Sequence, residues 1–167
     1  MGIHIIAAVS ENGVIGKDGN IPWLNIDEIR KPDMQRFRTL TIHHPVIMGR
    51  VTYESIPEKF RPLPERKNII ITNNREFKIP DGVIAAHSLR EASQIASDLD
   101  KEVYVIGGAT IYKAFLPYTG FLHFTYIHRI IEGENLTLFP DYEKSKWQET
   151  EREDHTDFSF VNYEKLK

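Results

Sequence analysis

The sequence predicts an α/β fold: one mixed sheet with helices on both faces and an antiparallel hairpin at the C-terminus. Three observations carry this. Up to Phe115, short apolar runs alternate with helical patterns, and strands separated by helices imply parallel crossovers. Beyond that point strand follows strand, and the last two are separated only by Asp154–Asp157, which reads as a hairpin. The chain has 167 residues, of which 41% are apolar. That is enough for one domain with a real core and short for two, so residues 1–167 are read as a single domain.

The elements follow in order. Ile3–Val9 is an apolar run that reads as a buried strand. It is too short to span a membrane and lacks a basic leader and small-residue cleavage site. Ser10–Lys31 is a long loop with three glycines and a proline. Pro32 to Thr41 reads as a helix with Pro32 as its first residue. Pro45–Met48 is a short strand and Arg50–Ile56 a short helix. A second loop, Pro57–Lys67, holds three prolines; long loops in compact domains are usually functional. Asn68–Thr72 reads as a strand. Ser88–Leu99 reads as a helix opened by a capping box of Ser88 and Glu91. Val103–Ile106 is a strand, Ala109–Phe115 a helix, and Phe121–His128, Trp147–Glu153 and Phe158–Leu166 are strands.

Composition narrows the function. A net charge of −3 supplies no basic field, which speaks against nucleic acid as a partner. There is no cysteine, which removes disulfides, thiolate metal sites and cysteine nucleophiles and fits a cytoplasmic protein. The seven histidines show no ligand spacing with acids, so no metal is expected. His43-His44 reads as a solvated turn and His123 as a strand residue. A monomer is favoured, on no specific sequence signal.

Two segments carry chemistry. In Pro45-Val46-Ile47-Met48-Gly49-Arg50-Val51-Thr52 a strand ends in glycine and a helix begins, and Val103-Tyr104-Val105-Ile106-Gly107-Gly108-Ala109-Thr110 repeats the pattern. A helix N-terminus offers free N–H groups and a partial positive charge, and glycine lets an anion approach the backbone. Two such units could hold a dinucleotide. Neither is a G-x-G-x-x-G fingerprint or a P-loop, and either could simply be a tight turn.

Asp33 is the second signal. It shares a helix face with Phe37, and Met34 and Phe37 are also neighbours. Apolar surroundings would raise its pKa, while a place in the first turn would lower it. A solvent-facing helix-start aspartate is the alternative, and Asp27 and Glu28 are rival acids nearby.

Taken in order, these residues resemble dihydrofolate reductase over nearly the whole chain. The match runs from Ile5–Val9 through Val14-Ile15-Gly16, Ile21-Pro22-Trp23, Asp33, Phe37 and Pro45–Arg50. It continues through Thr52, Glu54–Ile56, Arg61–Pro64, Arg66–Asn68, Val105–Gly108, Ile111-Tyr112, Thr125 and Phe139-Pro140. The twelve residues from Asp33 to Pro45 suit the family and select Asp33 over Asp27 and Glu28. The resemblance implies an eight-stranded, mostly parallel sheet with about four helices. It implies reduction of 7,8-dihydrofolate by NADPH, with a hydride to pterin carbon 6 and a proton to nitrogen 5, and antifolates as inhibitors.

The family's catalytic machinery then falls on Asp33, with Thr125 supporting it and Trp23 holding a water. The pterin cleft falls on Ile6, Ala8, Met34, Phe37, Ile56, Leu63, Ile106 and Tyr112, and Arg66 would pair with the glutamate tail. Arg61 and Lys67 are read as solvated charges. The cofactor site falls on Ala8, Ile15, Gly16, Ile21, Gly49, Arg50, Val51, Thr52, Thr72, Asn73 and Arg75, and on Ile106 through Ile111 (Gly107, Gly108, Ala109, Thr110). In the family the Gly107–Gly108 peptide is cis. The loop from Ile15 to Trp23 would close over the nicotinamide.

The chain departs from the pattern in places. Leu24–Lys31 is extra, Ile21 replaces a methionine, and Ala109 replaces a third glycine. Asn73 and Asn74 stand where many members place an arginine for the 2′-phosphate, and Arg75 follows. Glu134–Leu136 lengthens another loop. Two other readings are a related NADPH-dependent reductase of riboflavin biosynthesis, which would not need Trp23, Asp33 and Arg66 together, and a nucleotide-binding module without catalysis, which would lack the acid or the glycines.

Overall fold

A computed structural model describes residues 1–167. The strands and α-helices run β1 (Gly2–Ser10), β2 (Val14–Lys17), α1 (Asp27–Thr41), β3 (Val46–Gly49), α2 (Arg50–Ser55), β4 (Asn68–Ile71), β5 (Val83–Ala86) and α3 (Leu89–Leu99). They continue with β6 (Glu102–Gly107), α4 (Ala109–Phe115), β7 (Phe121–Ile127), β8 (Leu136–Leu138), β9 (Trp147–Asp154) and β10 (Phe158–Lys165). Eight strands form one sheet in the order β5-β4-β3-β6-β1-β7-β10-β9, and β2 pairs with β8 separately. All pairings from β5 to β7 are parallel, and β10 runs antiparallel to both β7 and β9. The sheet, the four helices and the C-terminal hairpin are as the sequence predicts.

Alternation along the strands sends the apolar side chains to two faces. Ile3, Ile5, Ala7 and Val9 of β1 join Val103, Val105 and Leu122 in the larger core, together with Ala92, Ala96, Tyr112 and Phe115 of α3 and α4. On the other face Val46, Met48, Tyr53, Ile70 and Tyr104 form a second core, against which Leu40 of α1 and Ile56 pack. The Ser88 hydroxyl accepts a hydrogen bond from the Glu91 amide at 3.1 Å, and the Glu91 carboxylate accepts from the His87 amide. The serine half of the expected capping box is therefore present at α3, but Glu91 reaches the amide one residue before the cap instead of that of Ser88, so the box does not close on Ser88 itself.

Helix α1 corrects the expectation that Pro32 is its first residue: it opens five residues earlier, at Asp27. Asp27 and Glu28 sit in the first turn, where acids favour the helix dipole. Pro32 removes one amide from the ladder. The turn before it is held because Ile29 is fully buried against Trp23, Ile127 and Phe158. The extra segment Leu24–Lys31 is thus the N-terminal turn of α1 and a lid on Trp23. Asp33 consequently lies inside the helix, and the first-turn dipole argument does not apply to it.

Three short strands lie outside the strands that the sequence predicts. β2 and β8 pair across the chain, and Asn135 Nδ2 donates to Asp18 Oδ1 at 3.0 Å, which ties the lengthened Glu134–Leu136 loop to the one after β2. β5 adds an edge strand beside β4. Each has four residues or fewer and is only partly buried, whereas the equally short β3 and β4 are almost fully buried and read as continuous apolar runs.

Candidate active site

β3 and β6 lie side by side, with Met48 opposite Gly107, so α2 and α4 begin next to one another at the same end of the sheet. The backbone there leaves little room for side chains. A Cβ on Gly49 would come within 3.2 Å of Ile111 Cγ1, and one on Gly108 within 3.3 Å of Thr52 Oγ1. Gly107 has φ +125°, a conformation L side chains rarely adopt, and its added Cβ would lie 3.3 Å from the Tyr112 hydroxyl. The Gly107–Gly108 peptide is cis, as expected. This glycine floor between two helix N-termini, with Thr52 beside it, fits the phosphates and flat rings of a dinucleotide. Gly107→Ala is expected to cost about 1–3 kcal/mol of stability and to weaken NADPH binding, read by thermal unfolding and by fluorescence titration.

Ala109, Thr110 and Ile111 form the first turn of α4, while Arg50, Val51 and Thr52 open α2. Arg50 Nη1 pairs with Glu54 Oε2 at 2.7 Å, so its charge is already shared. Thr72 is buried just beyond β4; its hydroxyl accepts from the Asn74 amide at 3.1 Å, and Asn73 and Arg75 are exposed. Ile15 packs on the larger core, Gly16 pairs with Thr137, and Ile21 is exposed.

The pterin-cleft residues also come together. Ala8 and Thr125 are register partners on β1 and β7. The Thr125 hydroxyl donates to Asp33 Oδ1 at 2.6 Å, which ties α1 to the sheet. Burial pushes the Asp33 carboxyl above the ordinary carboxylate range; the Thr125 hydrogen bond and the positive charge of Arg36 offset this only in part. The rival acids are surface groups. Asp27 is exposed and pairs with Arg30 and Lys31, and Glu28 is exposed.

Trp23 is 2% exposed, and its Nε1 is buried with no acceptor in the protein. A buried indole N–H usually has a partner, and a bound water or ligand atom would satisfy it. Tyr112 is buried beneath the glycines, and its hydroxyl donates to the Ile6 carbonyl at 2.8 Å. Its phenol is therefore engaged with the sheet and held neutral by burial. Met34 on α1, Val51 on α2 and Phe60 in the segment after it are exposed, as is Ile21. Phe37, Ile56, Leu63 and Ile106 are half-buried. Apolar side chains left accessible on neighbouring elements suit a ligand groove.

Arg66 lies over the Phe37 ring at 5.7 Å. It donates from Nε to the Pro64 carbonyl and from Nη1 to Thr41 Oγ1, both at 2.9 Å. Its neighbour Glu65 pairs with Arg38, so Arg66 is positioned by neutral partners with no carboxylate of its own.

Two expectations fail here. Arg61 is not a solvated charge: Nη1 donates to the Glu54 carbonyl at 2.7 Å and the guanidinium faces the Tyr53 ring. It caps the C-terminal carbonyls of α2, as a cation near a helix end does. His44 is not a solvated turn residue either, since its Nδ1 meets Asp100 Oδ2 at 3.0 Å; His43 is exposed, as expected. His123 does lie in a strand, but within a buried hydrogen-bond chain that sequence gives no means of seeing. His4 Nδ1 meets His123 Nε2 at 2.9 Å, and His123 Nδ1 meets Asn162 Oδ1 at 2.8 Å.

The comparisons agree with the geometry. The family model described as dihydrofolate reductase matches residues 2–165. Dihydrofolate reductase HdrB of Haloferax volcanii is 42% identical, covering 96% of this chain and 82% of that protein. Dihydrofolate reductase of Bacillus subtilis is 37% identical over 98% of this chain and 94% of its own. The structure of dihydrofolate reductase from Enterococcus faecalis, complexed with NADP(H) and RAB-propyl, superposes with a TM-score of 0.86 at 29% identity, covering 99% of this chain and 97% of that one. With the family model matched over almost the whole chain and relatives of this identity, the chain belongs to the dihydrofolate reductase family.

Proposed function

We propose that this chain reduces 7,8-dihydrofolate to 5,6,7,8-tetrahydrofolate, with NADPH as reductant. The observation that carries this is the carboxyl of Asp33, drawn out of water and held by Thr125 on the same sheet as the glycine floor. Such a group suits a heterocycle with paired N–H donors better than it suits a ribosyl sugar. It also speaks against a module that only binds nucleotide.

When bound, NADPH supplies the hydride to pterin carbon 6; the chain's residues do the rest. Gly49, Gly107, Gly108 and Thr52 would receive the dinucleotide, with Arg50 and the exposed Arg75 as the cations for its phosphates. Ala8, Ile6 and Ile106 would wall the pterin and exclude water. Asp33 would hydrogen-bond the ring and polarise it. In this pose nitrogen 5 would lie away from the carboxyl, so the proton would reach it through water, for which Trp23 Nε1 is an available donor. Burial raises the proton affinity of Asp33, which suits a group that assists proton delivery. Arg66 would take the carboxylate of the glutamate tail, a forked contact that arginine makes well. Antifolates that copy the pterin would compete at Asp33. No helix is long and apolar enough to cross a membrane.

The pose is tested at Arg66. Arg66→Leu is expected to raise KM for dihydrofolate by about 10- to 100-fold, the worth of a charged hydrogen bond. It should leave the KM of a dihydropterin lacking the glutamate tail unchanged. An equal rise for both substrates would place Arg66 in a merely structural role.

A further inference from the structure

Helix α1 carries a second charged side chain one turn from the acid. Arg36 follows Asp33 by three residues, so the two are neighbours on the helix surface. Its guanidinium reaches the sheet: Nη2 donates to Asn162 Oδ1 at 2.7 Å and Nη1 to the Phe124 carbonyl at 3.3 Å. The same group lies 4.7 Å over the Phe160 ring. Phe124 immediately precedes Thr125, whose hydroxyl donates to Asp33. α1 and β7 are thus joined twice within adjacent residues, once through the acid and once through Arg36.

We propose that Arg36 is a positioning residue for the reductase reaction: it pins α1 to β7 beside Thr125 and places its positive charge one helical turn from Asp33. The proposal rests on the reading of Asp33 as the acid of the reaction. Arg36 acts through Asp33 and not on the substrate. It makes no direct salt bridge to the carboxylate, and its effect is carried by its charge and by the strand it holds.

The other groups around it have defined roles. Glu151 and Glu153 of β9 attract the guanidinium from the outer side. Glu151 also accepts from Asn162 Nδ2 at 2.7 Å and so fixes the amide that fixes Arg36. His123 of β7 shares Asn162 Oδ1 and, with His4 behind it, is held neutral by burial. Tyr112 of α4, which also feels Asp33, is a neutral phenol. His155 lines the groove of about 390 Å³ between α1 and the β9–β10 hairpin into which Arg36 opens. Arg36, three residues on along the same helix, is therefore the cation placed to act on Asp33. An arginine holds its charge under such burial where a lysine yields it more readily.

A proton is consumed at nitrogen 5, so the rate is level while Asp33 is protonated and falls as pH rises through its titration. Removing the cation favours the protonated acid and moves that fall to higher pH. The test is the pH profile of kcat/KM for dihydrofolate in the parent, R36M, R36K and D33N. R36M is expected to move the midpoint upward, so that above the parent's midpoint it keeps on the order of threefold more of its own plateau rate. R36K is expected to lie nearer the parent.

A purely structural arginine would lower the plateau and leave the midpoint in place, and that result overturns the proposal. D33N should abolish the limb. If D33N keeps it, the assignment of Asp33 as the acid fails. The titration of the Asp33 carboxyl carbon by NMR, assigned by its absence in D33N, still decides whether Arg36 governs it. Should R36M not fold, Asn162→Ala loosens the guanidinium in a chain that retains the charge. A smaller displacement of the same sign then supports the proposal, and none overturns it.

Discussion

Asp33→Asn lowers dihydrofolate turnover at neutral pH by about two to four orders of magnitude, the usual worth of a placed acid, while raising the melting temperature. Asparagine keeps an oxygen that can accept from the Thr125 hydroxyl, so the tie between α1 and β7 survives. What it loses is the proton and the charge. The stability gain follows from linkage. The folded carboxyl binds its proton more tightly than the unfolded one, because burial disfavours the charge. The native state therefore holds more protons between the two pKa values, and stability falls as pH rises through the folded value. The penalty is absent below the unfolded pKa and complete at alkaline pH, and asparagine removes it. Steady-state rates and thermal melts at acid and alkaline pH check both halves. Equal melts for parent and D33N at alkaline pH would contradict the desolvated acid, and retained turnover would move the acid elsewhere.

Acid should destabilise the protein through His123. Burial lowers its pKa from 6.5 to about 4, despite the Asn162 hydrogen bond. His4 is lowered for the same reason, although Glu102 beside it partly restores its proton affinity. Between about pH 6.5 and 4 the unfolded chain takes up protons that the folded sheet refuses. Stability therefore falls as pH falls through that window, and His123 alone accounts for about 3 kcal/mol once pH is below 4. Denaturant unfolding at neutral pH and near pH 4 measures the drop. His123→Gln, which can still bond its neighbours but does not titrate, is expected to flatten it by about that amount. A parent whose stability is level across the window would contradict a neutral buried pair. Asp33 contributes with the opposite sign, so the histidine effect is best read in the D33N background.

Much of the site was legible because it is local in sequence. The glycines at Gly49 and Gly107–Gly108 each end a strand and open a helix, and that order of residues needs no tertiary contact to be seen. Asp33 is different. Its hydrogen-bond partner Thr125 lies far along the chain, and its place inside α1 depends on Ile29 docking against Trp23. A proline in a helical pattern marks a start only when nothing buries the turn before it. The short strands β2, β5 and β8 were hidden for a related reason, since each is defined by its partner and not by a period of its own. Arg61 and His44 look like surface charges in sequence because their acceptors, a helix-end carbonyl and Asp100, are brought to them by the fold. The chain from His4 through His123 and Asn162 to Arg36 crosses β1, β7, β10 and α1, and no linear pattern encodes it.

The most direct measurement mixes the purified chain with NADPH and dihydrofolate and follows nicotinamide absorbance, with D33N and NADH run alongside. The expected result is oxidation of NADPH that requires dihydrofolate, is far slower with NADH, and is nearly lost in D33N. Tight NADPH binding with no dihydrofolate-dependent oxidation would contradict it.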